Sequence, residues 1–223
     1  MFASPPRSAA ILVLTALLAA CAGQEPALRK PREAWRGKTE AACIKSGLVR
    51  ESSYVKRVRA LNGPGPCGTR KPFIVSAALD GQVALDPPAT LTCNMVPVFD
   101  RWLARDVQPS ADTYLGDHVT GVEVAASYGC RTRNTKRGAK ISEHSFANAI
   151  DIKAFLLASG RRISVENGWN GSPQDALFLR SVHRGGCSHF KTIIGPEGDR
   201  HHRDHFHFDL AWHGKDGQYV HCE

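Results

Sequence analysis

Two short stretches, residues 142–155 (SEHSFANAIDIKAF) and 200–209 (RHHRDHFHFD), concentrate histidines and carboxylates, and they read together as one metal site. His144 and Asp151 have six residues between them, and Asp204 and His207 have two. Two neutral imidazoles and one carboxylate meet the needs of a mononuclear zinc that keeps one position open for water. The candidate ligands are His144, Asp151 and His207. Residues 149–155 alternate like a strand, so His144 stands at the strand's mouth while Asp151 points inward from it. On a second strand His205, His207 and Asp209 share one face, with Phe206, Phe208 and Leu210 on the other. Asp204 stands before that strand on the wrong parity, and reaches a metal-bound water only if the backbone twists or bulges there.

The chain opens with Arg7 and then an apolar run at residues 9–20, interrupted only by Thr15. That is too short to span a bilayer and fits the apolar part of a secretory signal, residues 1–20. The run ends Leu18-Ala19-Ala20-Cys21, which resembles a bacterial lipobox. The resemblance implies cleavage before Cys21, a lipid on its sulfur and, with Ala22 following, outer-membrane sorting toward the periplasm. A plain signal peptide cut near Ala22 is the alternative, and either way the protein is exported. Residues 21–40 are polar, with Pro26 and Pro31, and read as the lipidated cysteine and a flexible tether spanning roughly 25 Å.

Apart from Cys21, six cysteines remain: Cys43, Cys67, Cys93, Cys130, Cys187 and Cys222. An even set in an oxidising compartment predicts three disulfides, with fifteen pairings open. No two cysteines have C-x-x-C spacing, which argues against a zinc–thiolate site.

Residues 41–223 make one domain. Residues 73–85 read as a hairpin turning at Asp80-Gly81. Residues 90–104 carry helical spacing in Leu91, Met95, Val98, Phe99, Trp102 and Leu103, and residues 119–127 alternate like a strand. Residues 160–166 continue the first metal strand into a second hairpin. Residues 169–173 form a loop whose Trp169 either borders a groove or packs. Residues 175–183 read as a helix and 188–195 as a strand. At most one of His201 and His202 is expected to turn inward, and the better expectation is neither; His118, His183, His189, His213 and His221 are assigned to surface or capping roles. The expected class is α+β, a small antiparallel sheet carrying the zinc site, flanked by helices and stapled by disulfides.

The segment SEHSFANAIDI resembles the SxHxxGxAxD motif of the lysostaphin and D-Ala-D-Ala metallopeptidase (M15-like) superfamily, and DHFHFDL resembles its downstream segment. SYGCRTRN, ISEH, FANAIDI, IIGP, HRDHFHFDLA and Cys222 follow in the order of the bacterial extensin-like C-terminal domain family, from about Cys43 to Glu223. The resemblance implies a zinc peptidase fold acting on peptidoglycan stem peptides, with His144, Asp151 and His207 as ligands and Asp204 as general base. It also implies an arginine near the metal, Arg131 first and Arg133 second, to steady an oxyanion or hold a carboxylate. His205 adds an imidazole suited to act as an accessory proton donor or a transition-state partner. Two departures stand out: Ala147 where the superfamily has Gly, and Asp204 where Glu is more frequent.

The net charge of +8 favours anionic partners. Export, and the lack of a basic–aromatic stripe, argue against nucleic acid and leave cell-wall polymers and the membrane reached through the lipid. The leading expectation is a zinc-dependent peptidoglycan amide hydrolase, an endopeptidase or carboxypeptidase. The alternatives are a non-catalytic wall-binding lipoprotein with a degenerate site and a protein in which zinc is structural.

Overall fold

The computed structural model describes Met1 and residues 26–223. The stretch expected to be a signal sequence, beyond Met1, and the expected lipidation site at Cys21 lie outside the described residues. Eleven strands are seen among them: β1 Val55–Arg57, β2 Leu61–Asn62, β3 Gly68–Thr69, β4 Phe73–Ala78, β5 Val83–Leu91, β6 Val119–Ala126, β7 Ala149–Leu157, β8 Arg162–Ser164, β9 Thr192–Ile194, β10 Phe206–Asp209 and β11 His221–Cys222. The helices are α1 Ala34–Ser46, α2 Met95–Trp102, α3 Gln108–Leu115, α4 Val165–Gly168 and α5 Pro173–Gly186, with a π-helical segment, Leu103–Val107, joining α2 to α3.

Nine strands form one sheet in the order β1-β4-β5-β6-β7-β10-β9-β11, with β8 also on β7. The α+β class holds, but the sheet is larger than expected and mixed, because β5·β6 and β9·β11 pair in parallel. A parallel pair needs a long crossover, and between β5 and β6 it is the α2–π–α3 helical run. That run also corrects the expected helix over 90–104. Thr90 and Leu91 end β5, and α2 begins at Met95. Leu91 is buried as a strand residue, so an apolar spacing that straddles the strand end imitates a longer helix.

The part of the expected tether that lies among the described residues, 26–40, carries regular structure over most of its length. A 3₁₀ turn at Pro26–Arg29 leads to α1, where Glu40 is buried and accepts hydrogen bonds from Thr69 Oγ1 (2.5 Å) and the Lys71 amide (2.8 Å). The 160–166 hairpin is shorter than expected, since Val165 and Glu166 start α4 with Ser164 as N-cap, and the strand expected over 188–195 is confined to β9.

The core centres on Trp102, fully buried among Phe99, Phe155, Phe190 and Phe208, its indole N–H donating to the Val182 carbonyl at 2.9 Å. Trp169 packs edge-on against Phe206 and His183. His183 is also a core residue and not a surface one. Disulfides Cys43–Cys93, Cys67–Cys130 and Cys187–Cys222 take up all six candidate cysteines.

Candidate metal centre

Strand β7 reaches the core and the site by changing parity along its length. Glu123 and Val124 of β6 are adjacent, yet they pair with Ala154 and Ile152, so Lys153 is an extra residue. Such a bulge swaps the faces. Ile150 and Ile152 enter the core before it, Phe155 and Leu157 after it, and Asp151 is left on the opposite face.

In the β7·β10 register His207 lies directly across from Asp151, which makes them same-face neighbours. Phe206 and Phe208 alternate into the core and hold that strand in place. His144 comes from a 3₁₀ turn, Glu143–Phe146, closed by Ala147 at φ 54° and ψ 30°. The turn therefore does take the left-handed conformation that favours glycine, and Ala147 adopts it while fully buried.

The three ligand atoms converge. Asp151 Oδ1 is 3.0 Å from His144 Nε2 and 2.8 Å from His207 Nδ1, and the two nitrogens are 3.1 Å apart. All three residues are buried, and they are the one group among the described residues whose ligand atoms could hold a metal ion. The outward nitrogens are secured. His144 Nδ1 lies 2.8 Å from the Ser127 carbonyl, which can only accept, so Nδ1 carries the proton and Nε2 is bare. His207 Nε2–H donates to Asp209 Oδ2 at 3.0 Å, and Asp209 is held by the Ala211 amide. Bound imidazoles at metal sites have this second layer of partners.

The arrangement fits a cation. The bare His144 Nε2 faces a carboxylate oxygen at 3.0 Å, two acceptors that repel unless positive charge sits beside them; in the metal-free protein the His207 imidazolium supplies it, and a metal ion would take its place. Tetrahedral zinc at ordinary bond lengths separates its ligand atoms by about 3.3 Å, so the cluster needs to open by only a few tenths of an ångström. Burial opposes charge on both His207 and Asp151, but each overcomes it through the other. The carboxylates of Asp151 and Asp209 raise the His207 imidazolium to about 10, and the hydrogen bond and charge of His207 hold Asp151 well below the usual carboxylate range.

The cluster opens on a cavity of about 410 Å³ whose walls include Arg131, His202 and His205. Arg131 Nη2 lies 3.6 Å from Asp151 Oδ2. Its backbone is clamped to the metal turn, its N–H donating to Ser145 Oγ at 2.9 Å while that hydroxyl lies 2.9 Å from its carbonyl. Arg133, the second choice, lines the same cavity. His205, just ahead of β10, places Nε2 3.8 Å from Asp151 Oδ2. Asp204 is largely exposed and turned onto His205 Nδ1 at 2.8 Å.

His202 does turn inward, against the expectation for the His201–His202 pair: it is buried, bonded to Asp199 at 2.8 Å and packed on His205 and His207. Asp199, three residues earlier, is the sequence signal for it. Glu143 carried no assigned role, yet it is buried beside His144, bonded by Arg36 and Asn148.

Fold and cluster together define an α+β chain, stapled by three disulfides, with a buried His–Asp–His group at the mouth of its central strands. Residues 41–223 match the family described as Extensin-like protein C-terminus, and the chain belongs to that family. No curated protein and no solved structure matches the chain.

Proposed function

We propose that this protein is a zinc-dependent hydrolase of amide bonds in the stem or cross-link peptides of peptidoglycan, related to the M15-like metallopeptidases. The observation that carries the reading is the convergence of His144 Nε2, Asp151 Oδ1 and His207 Nδ1 within 3.1 Å of one another in the wall of an open cavity. Three protein ligands leave a coordination position for water, whereas structural zinc takes four. When bound there, zinc supplies Lewis acidity, polarising a carbonyl and acidifying water enough for it to attack near neutral pH.

The chain's own residues do the rest. His205 Nε2 faces the cavity and exchanges the proton between the attacking water and the leaving amine. Asp204, on the other ring nitrogen, sets its tautomer and stabilises its cation, acting through His205 and not on water directly. Arg131 presents its guanidinium beside Asp151, where it binds a substrate carboxylate or the developing oxyanion. Stem peptides carry free carboxylates, which suit that cation.

The protein acts in the bacterial envelope, exported and held to the outer membrane by lipid on Cys21. Its three disulfides, which persist in oxidising compartments, support that placement. No helix among the described residues is long and apolar enough to cross a membrane. A non-catalytic wall binder with a degenerate site is the second reading. Its signs in the sequence are Ala147 and Asp204: Ala147 adopts the backbone conformation the turn requires, whereas Asp204 is turned onto His205 and does not line the cavity.

Purified peptidoglycan digested with zinc-loaded, chelated and zinc-restored protein, with His207→Ala alongside, tests this by mass spectrometry of released peptides. The expected result is cleavage lost on chelation, regained with zinc and absent in the variant. Zinc uptake without cleaved peptides would refute the hydrolase and favour the wall binder.

A further inference from the structure

Arg133 and Glu143 wall two cavities at once. One is the metal cavity. The other, about 420 Å³, is bordered by Trp35, Lys140, Phe146 and Trp212, and its size falls within the range of ligand sites. The two therefore adjoin.

The second cavity has an aromatic floor. Trp35 and Trp212 lie 5.6 Å apart with their planes inclined by 39°, and Trp212 is 45 % exposed. The indole of Trp212 is seated on Gly217, where a Cβ would come within 2.7 Å of the ring, so its position is set by backbone. An exposed indole held this way offers a flat apolar surface at little entropic cost.

Its charge is unbalanced. The two carboxylates of the cavity, Glu33 and Glu143, are both bonded by Arg36. Lys30, Arg133 and Lys140 are exposed and have no ion-pair partner among the described residues. The matching ligand has a flat face of C–H groups, polar edges and negative charge. A pyranose ring bearing a carboxylate has all three.

We infer that the Trp35–Trp212 cleft is a saccharide subsite that binds the glycan strand of peptidoglycan: an amino sugar whose carboxylate is free of peptide packs on the indoles, while a peptide carried by a neighbouring sugar of the same strand extends past Arg133 and Glu143 toward the metal cavity. The identity of the polymer rests on the proposed hydrolase; the binding does not require the metal.

The test uses chelated protein, so that it is independent of catalysis. Tryptophan emission and calorimetry are followed with three ligands: glycan strands stripped of peptides, neutral chitotetraose, and free stem tetrapeptide. Stripped glycan is expected to bind, and Trp212→Ala to weaken it by about tenfold or more. Lys140→Gln, at an exposed side chain, is expected to weaken the charged glycan several-fold but leave chitotetraose unchanged, and it keeps the test valid should the Trp212 variant fold poorly. Absence of binding by both saccharides, equal binding by the two variants and the parent, or binding of the tetrapeptide alone would overturn the inference. Failure to cleave peptidoglycan would refute the hydrolase without touching this result.

Discussion

Arg36 Nη1 and Nη2 each lie 2.7 Å from a carboxylate oxygen of Glu143, across 107 positions of sequence. The guanidinium also sits 4.3 Å from the Trp35 ring and 3.7 Å from the Phe146 ring. Glu143 and Phe146 bound the turn that carries His144, so α1 fastens the metal loop from outside the sheet. Burial disfavours charge on Arg36, and the hydrogen bonds and charge of Glu143 more than offset it. Removing one member of a buried pair strands the other, at a cost of about 3–5 kcal/mol. Arg36→Ala is expected to lose that much stability in urea unfolding and to weaken zinc retention against a chelator. Arg36→Lys should recover only part, since an ammonium cannot grip both oxygens. Unchanged zinc affinity in a folded Arg36→Ala protein would detach α1 from the site.

Ala147 allows a sharper test of the metal turn. At φ 54° an alanine costs roughly 1–2 kcal/mol that glycine does not. Glycine forfeits a buried methyl worth about 0.8 kcal/mol and adds about 0.5–1 kcal/mol of backbone entropy to be lost. These terms nearly cancel, so Ala147→Gly is expected to stay within about 1 kcal/mol of the parent and to keep its zinc stoichiometry. Ala147→Val should unfold or lose zinc, because a β-branched residue is a genuine outlier at positive φ. Thermal melts and metal analysis of the two variants check both.

Much of the site was legible in sequence because strand parity is local. Asp151 pointing inward, His207 sharing a face with Asp209, and Phe206 and Phe208 directed to the opposite one follow from alternation alone, whereas the register that sets His207 across from Asp151 does not. The bulge at Lys153 was not, since it depends on how β6 pairs, and neither was the parallel β5·β6 pair that makes the sheet mixed. The end of β5 was misread because Leu91 is buried whichever element holds it. Residues 34–40 looked like tether because their apolar content is low; α1 is secured by buried polar partners, Arg36 on Glu143 and Glu40 on Thr69, which periodicity does not detect. His202 required its pairing with Asp199 to be recognised, and Asp204 required knowing that the nearest ring, and not the cavity, would claim it.

His183 predicts the acid limit of the fold. It is buried against Trp169, Phe206 and Phe208, and its Nε2 has no hydrogen-bond partner among the described residues. Burial lowers its pKa from 6.5 to about 4. The unfolded chain takes up that proton below about pH 6.5 while the native state refuses it. Stability from this group is therefore complete above 6.5 and falls as pH drops toward 4, by up to about 3 kcal/mol. Urea unfolding of chelated protein between pH 7 and 4 should show the decline, and His183→Phe should flatten it. A parallel decline in the variant would place the acid sensitivity elsewhere.

His207 predicts what zinc displaces. In the metal-free protein its imidazolium lies between Asp151 and Asp209, which raise it to about 10 against the opposing effect of burial. Its stabilisation is complete below about pH 6.5, the unfolded value, and is lost as pH rises through 10. At pH 7 the ring thus holds both protons, whereas a ligating nitrogen must be bare. Zinc uptake is therefore expected to release about one proton per ion at pH 7 and to tighten by up to about tenfold per pH unit between 7 and 9. Calorimetry in buffers of different ionisation enthalpy counts the proton. Asp209→Asn removes one of the two carboxylates, so the released count and the pH slope should both fall. One zinc bound at pH 7 with no proton released would show that His207 meets the metal already neutral, and that the cation between Asp151 and Asp209 is not what metal binding replaces.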